Sequence, residues 1–192
     1  MKKKKWYDYL WLWSILYFIL GFFNILFAWA GLIDFLLPLF LAILGGNKLF
    51  CNSFCGRGQL LTVLSTKLNL SANRPTPAWM YSKFFRHGFL IFFMTMFLQM
   101  LYNTYLVFGG VETLSQTITV LWTFSVPWEW AYTANVSPWT AQFSFGFYSI
   151  MLTSALIGIV TMLFYRPRTW CAFCPMGHMT QLICKAKQSD TP

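Results

Sequence analysis

Two long stretches of this 192-residue chain, residues 6–47 and 87–165, hold no lysine or arginine. All 14 basic residues fall in three windows: Lys2–Lys5, Lys48–Arg86 and Arg166–Lys187. Few folds are open to such a chain. Apolar passages separated by basic loops follow the positive-inside pattern, with the basic windows cytoplasmic and each gap a crossing of the bilayer and back. The composition agrees, at 57% hydrophobic and 10% charged, where soluble domains run near a quarter charged. The net charge of +9 is thus read as a charge for anionic lipid, not for nucleic acid.

The gaps divide into four spans, about 10–30, 33–50, 87–108 and 143–165. Each is set against the roughly 20 residues that a ~30 Å hydrocarbon core requires. Gly31 and Asp34 mark the outer turn of the first pair, and Asp34 and Glu129 are expected to face outside. The basic N-terminus reads as a retained anchor, because its apolar run is too long for a signal peptide. Between the last two spans, a Trp-rich segment suits an interfacial belt. Residues 59–70 carry Lys67 beside an apolar side and are expected to lie along the inner interface. The fold class is therefore an all-α membrane protein, one domain over 1–192, with both termini cytoplasmic in a prokaryotic inner membrane.

A cysteine pair follows each return span: Cys51 and Cys55 within 51–58, then Cys171 and Cys174 within 171–177. A glycine stands three residues past the second cysteine in both, Gly58 and Gly177. Span, cysteine pair, glycine and short amphipathic run thus recur, which reads as two pseudo-repeated hairpins meeting at one site. Four thiols on one membrane face suit an iron–sulfur cluster, for which four thiolates are the usual count. Arg57, Arg166, Arg168 and Lys48 are near enough in sequence to offset the negative charge. Gly58 and Gly177 would let backbone amides reach the sulfurs, and the helix starts beyond them would add positive dipole ends. Trp170, Phe173 and Phe54 flank the thiols and would exclude water, a placement an interfacial belt explains equally.

Other readings stand beside this one. Buried cysteines are often small hydrophobes, and a structural zinc site with four cysteine ligands fits the same count. Disulfides do not suit a reducing cytoplasmic face. Cys184 is read as a packed thiol and His87 as an interfacial anchor, with quinone or haem ligation as its alternative. A transporter would need more polar residues at mid-span than Asn24, Gln99 and Asn103.

The segments 166-RPRTWCAFCPMG-177 and 48-KLFCNSFCGRGQLL-61 together resemble membrane-bound 4Fe-4S proteins of the NapH and NosR type. Related motifs occur in copper-reducing assembly factors for cytochrome oxidase. The resemblance implies a [4Fe-4S] cluster, favoured over [2Fe-2S], on Cys51, Cys55, Cys171 and Cys174. Arg57, Gly58, Arg168, Pro175 and Gly177 would lie around it. It implies electron transfer between a cytoplasmic ferredoxin or flavoprotein and quinone or another redox subunit. The chain would then be a redox subunit of an oxidoreductase system. It departs from the family pattern in having Gly56 where proline is expected and two residues, not three, between Cys171 and Cys174. It also lacks a ferredoxin-like segment and a flavin-binding domain, and so reads as a minimal core. The alternative function is a membrane metal-binding scaffold or assembly subunit that holds zinc or hands on a metal.

Overall fold

The computed structural model describes residues 9–45, 50–121, 123–128, 131, 133 and 136–189. Lys2–Lys5, Lys48 and Glu129 lie outside the described residues. Three helices are long and apolar enough to cross a membrane: Ile25–Gly45, Lys83–Phe108 and Pro138–Phe164. The first of them opens with a 3-10 turn, Ile25–Trp29, that runs into α2, Ala30–Gly45.

The first expected span is divided. Helix α1 covers Leu10–Phe23, 14 residues, or about 21 Å, which is short of a ~30 Å core. The chain turns at Asn24, extended at φ −134° and ψ 108°. Its Oδ1 accepts the Leu26 N–H at 3.0 Å. Asparagine competes well for a helix N-terminus because its side chain satisfies an orphan amide. A polar residue that the sequence suggested as a mid-span position is thus a cap. Gly31 and Asp34, expected at the outer turn, lie inside α2.

After a π-helical turn, Phe50–Phe54, the chain forms α3, Gly56–Leu68. A 3-10 turn at Ala78–Tyr81 precedes α4, Lys83–Phe108. Strands β1, Thr117–Val120, and β2, Phe124–Pro127, form an antiparallel hairpin with Ile118 opposite Val126. Helix α5, Pro138–Phe164, leads to the short α6, Trp170–Phe173, and to α7, Pro175–Ser189. Helices α5 and α7 both open on proline, which has no N–H to leave unsatisfied at a first helical position. The hairpin corrects the all-α expectation.

The chain packs as two compact units. One comprises Leu16–Ile33 and Ile91–Ala155. Within it Tyr148 donates its hydroxyl proton to the Phe18 carbonyl at 2.9 Å. Its main device is the seating of β1 on α5. The Ser115 N–H donates to Gln142 Oε1 at 2.9 Å, Thr119 N–H to Ser149 Oγ at 3.1 Å and Leu121 N–H to Thr153 Oγ1 at 3.4 Å. The acceptors are spaced by seven and four residues, so they share one face of the helix. All three are buried. The hairpin follows α5 as far as Thr153, about 22 Å past Pro138. A strand edge packed against a helix needs hydrogen-bond partners from that helix, since water cannot reach between them.

The other unit comprises Met1–Ile15, Asp34–Leu90 and Leu156–Pro192. Its core joins Leu61, Met80, Met162, Trp170 and Phe173, with Phe85, Phe89 and Cys174 packed against them. The segment after α3 is tied to the end of α5: Ala72 N–H donates to the Leu163 carbonyl at 3.0 Å, and the Ser71 hydroxyl to that of Tyr165. Thr76 and Thr169 share a 2.9 Å hydrogen bond.

Replacing Ser149 by Ala strips an acceptor from the Thr119 amide of β1, and Thr153 by Val strips one from the Leu121 amide just past it. Each change is expected to cost about 1 kcal/mol or more, read as SDS-driven unfolding in detergent micelles. Ser144→Ala removes a hydroxyl bonded to its own helix at Thr140 and is expected to cost less.

Candidate metal centre

Local structure aims each cysteine. Cys51 stands in the π-helical turn, its sulfur 3.8 Å from Thr180 Oγ1 on α7. Cys55 immediately precedes α3 in an extended conformation, φ −70° and ψ 99°, and its carbonyl accepts the Gln59 N–H. Cys171 lies in α6, and Cys174 closes it by donating its N–H to the Trp170 carbonyl at 2.9 Å. The Cys174 carbonyl then accepts the His178 N–H at 2.9 Å and starts α7. Cys55 and Cys174 therefore both sit at helix N-termini, where the dipole favours a thiolate.

The two pairs meet. The Cys171 thiol is acted on by Cys55, Cys174 and Cys51, and the Cys174 thiol by Cys55. A Cβ at Gly58 would lie 3.7 Å from the sulfurs of both Cys55 and Cys171. Those two sulfurs, 116 residues apart in the chain, are thus no more than twice that distance from each other. Glycine at 58 leaves the space between them free of side chain.

The surroundings match much of what the sequence indicates. Arg57 acts on Cys174 and Arg168 on Cys171. Arg168 is held by a 3.3 Å hydrogen bond from its Nε to Thr62 Oγ1. The amides of Gly177 and Met176 donate to the Cys174 sulfur. Pro175 is buried at the head of α7, and Trp170 and Phe173 are buried beside the thiols, whereas Arg166 is exposed. Cys184 is buried farther along α7, about 15 Å of helix beyond Cys174.

Three features escaped the sequence. Thr180 reaches Cys51 and Thr62 reaches Arg168, contacts between distant segments that no local pattern announces. His87 and His178 meet edge to face with ring centres 4.6 Å apart, and His87 Nδ1 bonds the Lys83 carbonyl at 2.7 Å. The four-residue step from Cys174 to His178 is the one available signal, since it puts both on one side of α7. The third is depth. Arg57 acts on Asp34, 11 residues, or about 16 Å, back along α2 from Gly45. Trp170 packs against the position of Gly158 on α5, about 9 Å before that helix ends. The thiols therefore lie alongside the ends of the long helices, where the sequence set them just beyond.

This donor set fits a cluster. Burial first, then the neighbouring thiols, pushes Cys171 up to about 12, and burial pushes Cys174 up to about 11. Crowded thiols in this state keep their protons at neutral pH. A cationic centre displaces those protons and relieves the repulsion among the sulfurs. Among the described residues, no three His, Cys, Asp or Glu side chains are gathered tightly enough for a single metal ion.

A family model described as a 4Fe-4S binding domain matches residues 27–71 and 149–188. The two segments contain all four cysteines of the meeting pairs and the helices that aim them. No curated protein and no solved structure matches the chain. The family match gives the cofactor as an iron–sulfur cluster, with [4Fe-4S] favoured over [2Fe-2S].

The raised thiols set a pH signature for the metal-free protein. An ordinary cysteine is fully reactive not far above pH 8.5. Raised pKa values mean that the thiolate forms of Cys171 and Cys174 accumulate only toward pH 11 and 12. Alkylation of these two by iodoacetamide, followed by peptide mass spectrometry, is expected to keep accelerating from pH 9 to pH 11.

Proposed function

We propose that the chain is a membrane electron-transfer protein of the NapH and NosR type, holding one [4Fe-4S] cluster on Cys51, Cys55, Cys171 and Cys174. The convergence of two sequence-distant thiol pairs, inside segments that both match a 4Fe-4S binding model, carries this reading. When bound, the cluster supplies a one-electron donor and acceptor. The chain's own residues do the rest. Four thiolates grip the metal. Arg57 and Arg168 offset the charge that they bring. The Gly177 and Met176 amides hydrogen-bond the Cys174 sulfur, and Trp170 and Phe173 pack against Cys174, while Cys171 is exposed. Each positive or donor group favours the more negative reduced state and so raises the potential.

The electron enters from a soluble ferredoxin or flavoprotein and leaves to quinone or a membrane partner. Exposed Arg166, Arg168, Lys185 and Lys187 give an acidic donor a basic face to approach, with rates that fall as salt rises. That face is the cytoplasmic side of a prokaryotic cell membrane.

Iron and acid-labile sulfide are expected at about four each per chain in anaerobically purified protein. Cys55→Ser and Cys174→Ser, one from each pair, are both expected to lose them together with the broad visible absorption. Full iron and sulfide in either variant removes that residue from the ligand set. Zinc in place of iron supports the scaffold function instead.

A further inference from the structure

Thr180 is a polar residue buried in α7, with 1% of its surface exposed. Its hydroxyl touches two groups. Oγ1 lies 3.0 Å from the Gly177 carbonyl, one turn back in the same helix, and 3.8 Å from the sulfur of Cys51. The first contact is the usual back-bond of a helical threonine. The second crosses 129 residues of sequence. It joins the helix that Cys174 starts to a sulfur of the other pair.

A hydroxyl has one proton to donate and can turn it freely. Metal-bound Cys51 has no proton, so its sulfur can only accept. The Thr180 hydroxyl then faces two acceptors, a neutral carbonyl and a sulfur that carries charge. A charged acceptor makes the stronger hydrogen bond. Only the hydroxyl proton has to turn; no heavy atom moves.

We propose that Thr180 is a positioning residue that acts on the bound cluster through Cys51, its hydroxyl turning from the Gly177 carbonyl to the Cys51 sulfur and raising the potential. The inference rests on the cluster reading above and adds to it one group that sets the potential. Hydrogen bonds to ligand sulfurs are among the determinants of that potential. Sulfur carries more charge in the reduced state, so the bond strengthens on reduction and favours that state.

A merely structural threonine has a different signature. If the hydroxyl serves only its own helix, removing it leaves the potential unchanged. If it holds α7 in place, removing it admits water, which solvates the more negative reduced state and raises the potential. Loss of a hydrogen bond to sulfur lowers it. The test is an EPR-monitored redox titration of the full chain in detergent. Thr180→Val keeps the branched shape without the hydroxyl and is expected to shift the potential downward, with iron and sulfide unchanged. Thr180→Ser restores the hydroxyl and is expected to recover most of that shift. An unchanged or raised potential in Thr180→Val overturns the inference while leaving the cluster reading intact, and so does a serine variant with the valine potential. If Thr180→Val binds no iron, Thr180→Ala, which cannot crowd the sulfur, is titrated in its place under the same criteria. Loss of iron there as well overturns the proposal, because the hydroxyl then serves assembly and not the potential. Wild-type protein without a cluster overturns both readings.

Discussion

A bare amide or an unbalanced charge shut away from water needs a partner within the protein, and several unusual elements of this chain answer that constraint. The hairpin survives alongside α5 because Gln142, Ser149 and Thr153 take the place that water would have. Asn24 turns the chain between two apolar helices by closing a hydrogen bond on itself two residues ahead. The charge of Arg57 acts on both the Asp34 carboxyl and the Cys174 thiol.

The constraint also shapes the cysteine site. Thiols pushed up to about 11 and 12 are poor nucleophiles and poor partners for one another. A metal centre that binds Cys171 and Cys174 must displace these protons, and its positive charge offsets that cost.

Much of this was legible in the sequence. Long basic-free stretches located α4 and α5, because a 26- or 27-residue apolar helix leaves a signal longer than any local ambiguity. The repeated cysteine and glycine spacing pointed to the two thiol pairs that the structure brings together, because metal ligation demands fixed residue types close in the chain. Other features were out of reach. A single asparagine split the first apolar run, and hydropathy averages over such a residue. Thr117–Val120 is too short to announce a strand, and the stripe that receives it reads as ordinary variation within an apolar helix. Asp34 was assigned to the outer side because charge in an apolar segment usually marks a turn. Its actual neighbours, Trp13 and Arg57, come from other helices and leave no trace in the local pattern.

Helix α7 is fastened at both ends. At its head, Cys174 faces the other thiols, and near its tail Lys187 Nζ donates to the carbonyls of Ile43 at 2.9 Å and Leu44 at 3.0 Å. Those carbonyls close the last turn of α2, the helix that feeds the first cysteine pair. The tail of one motif is thereby bolted to the stem of the other. Helix α7 spans about 20 Å from Cys174 to Lys187, so a single helix ties the head of the second thiol pair to the last turn of the helix that precedes the first.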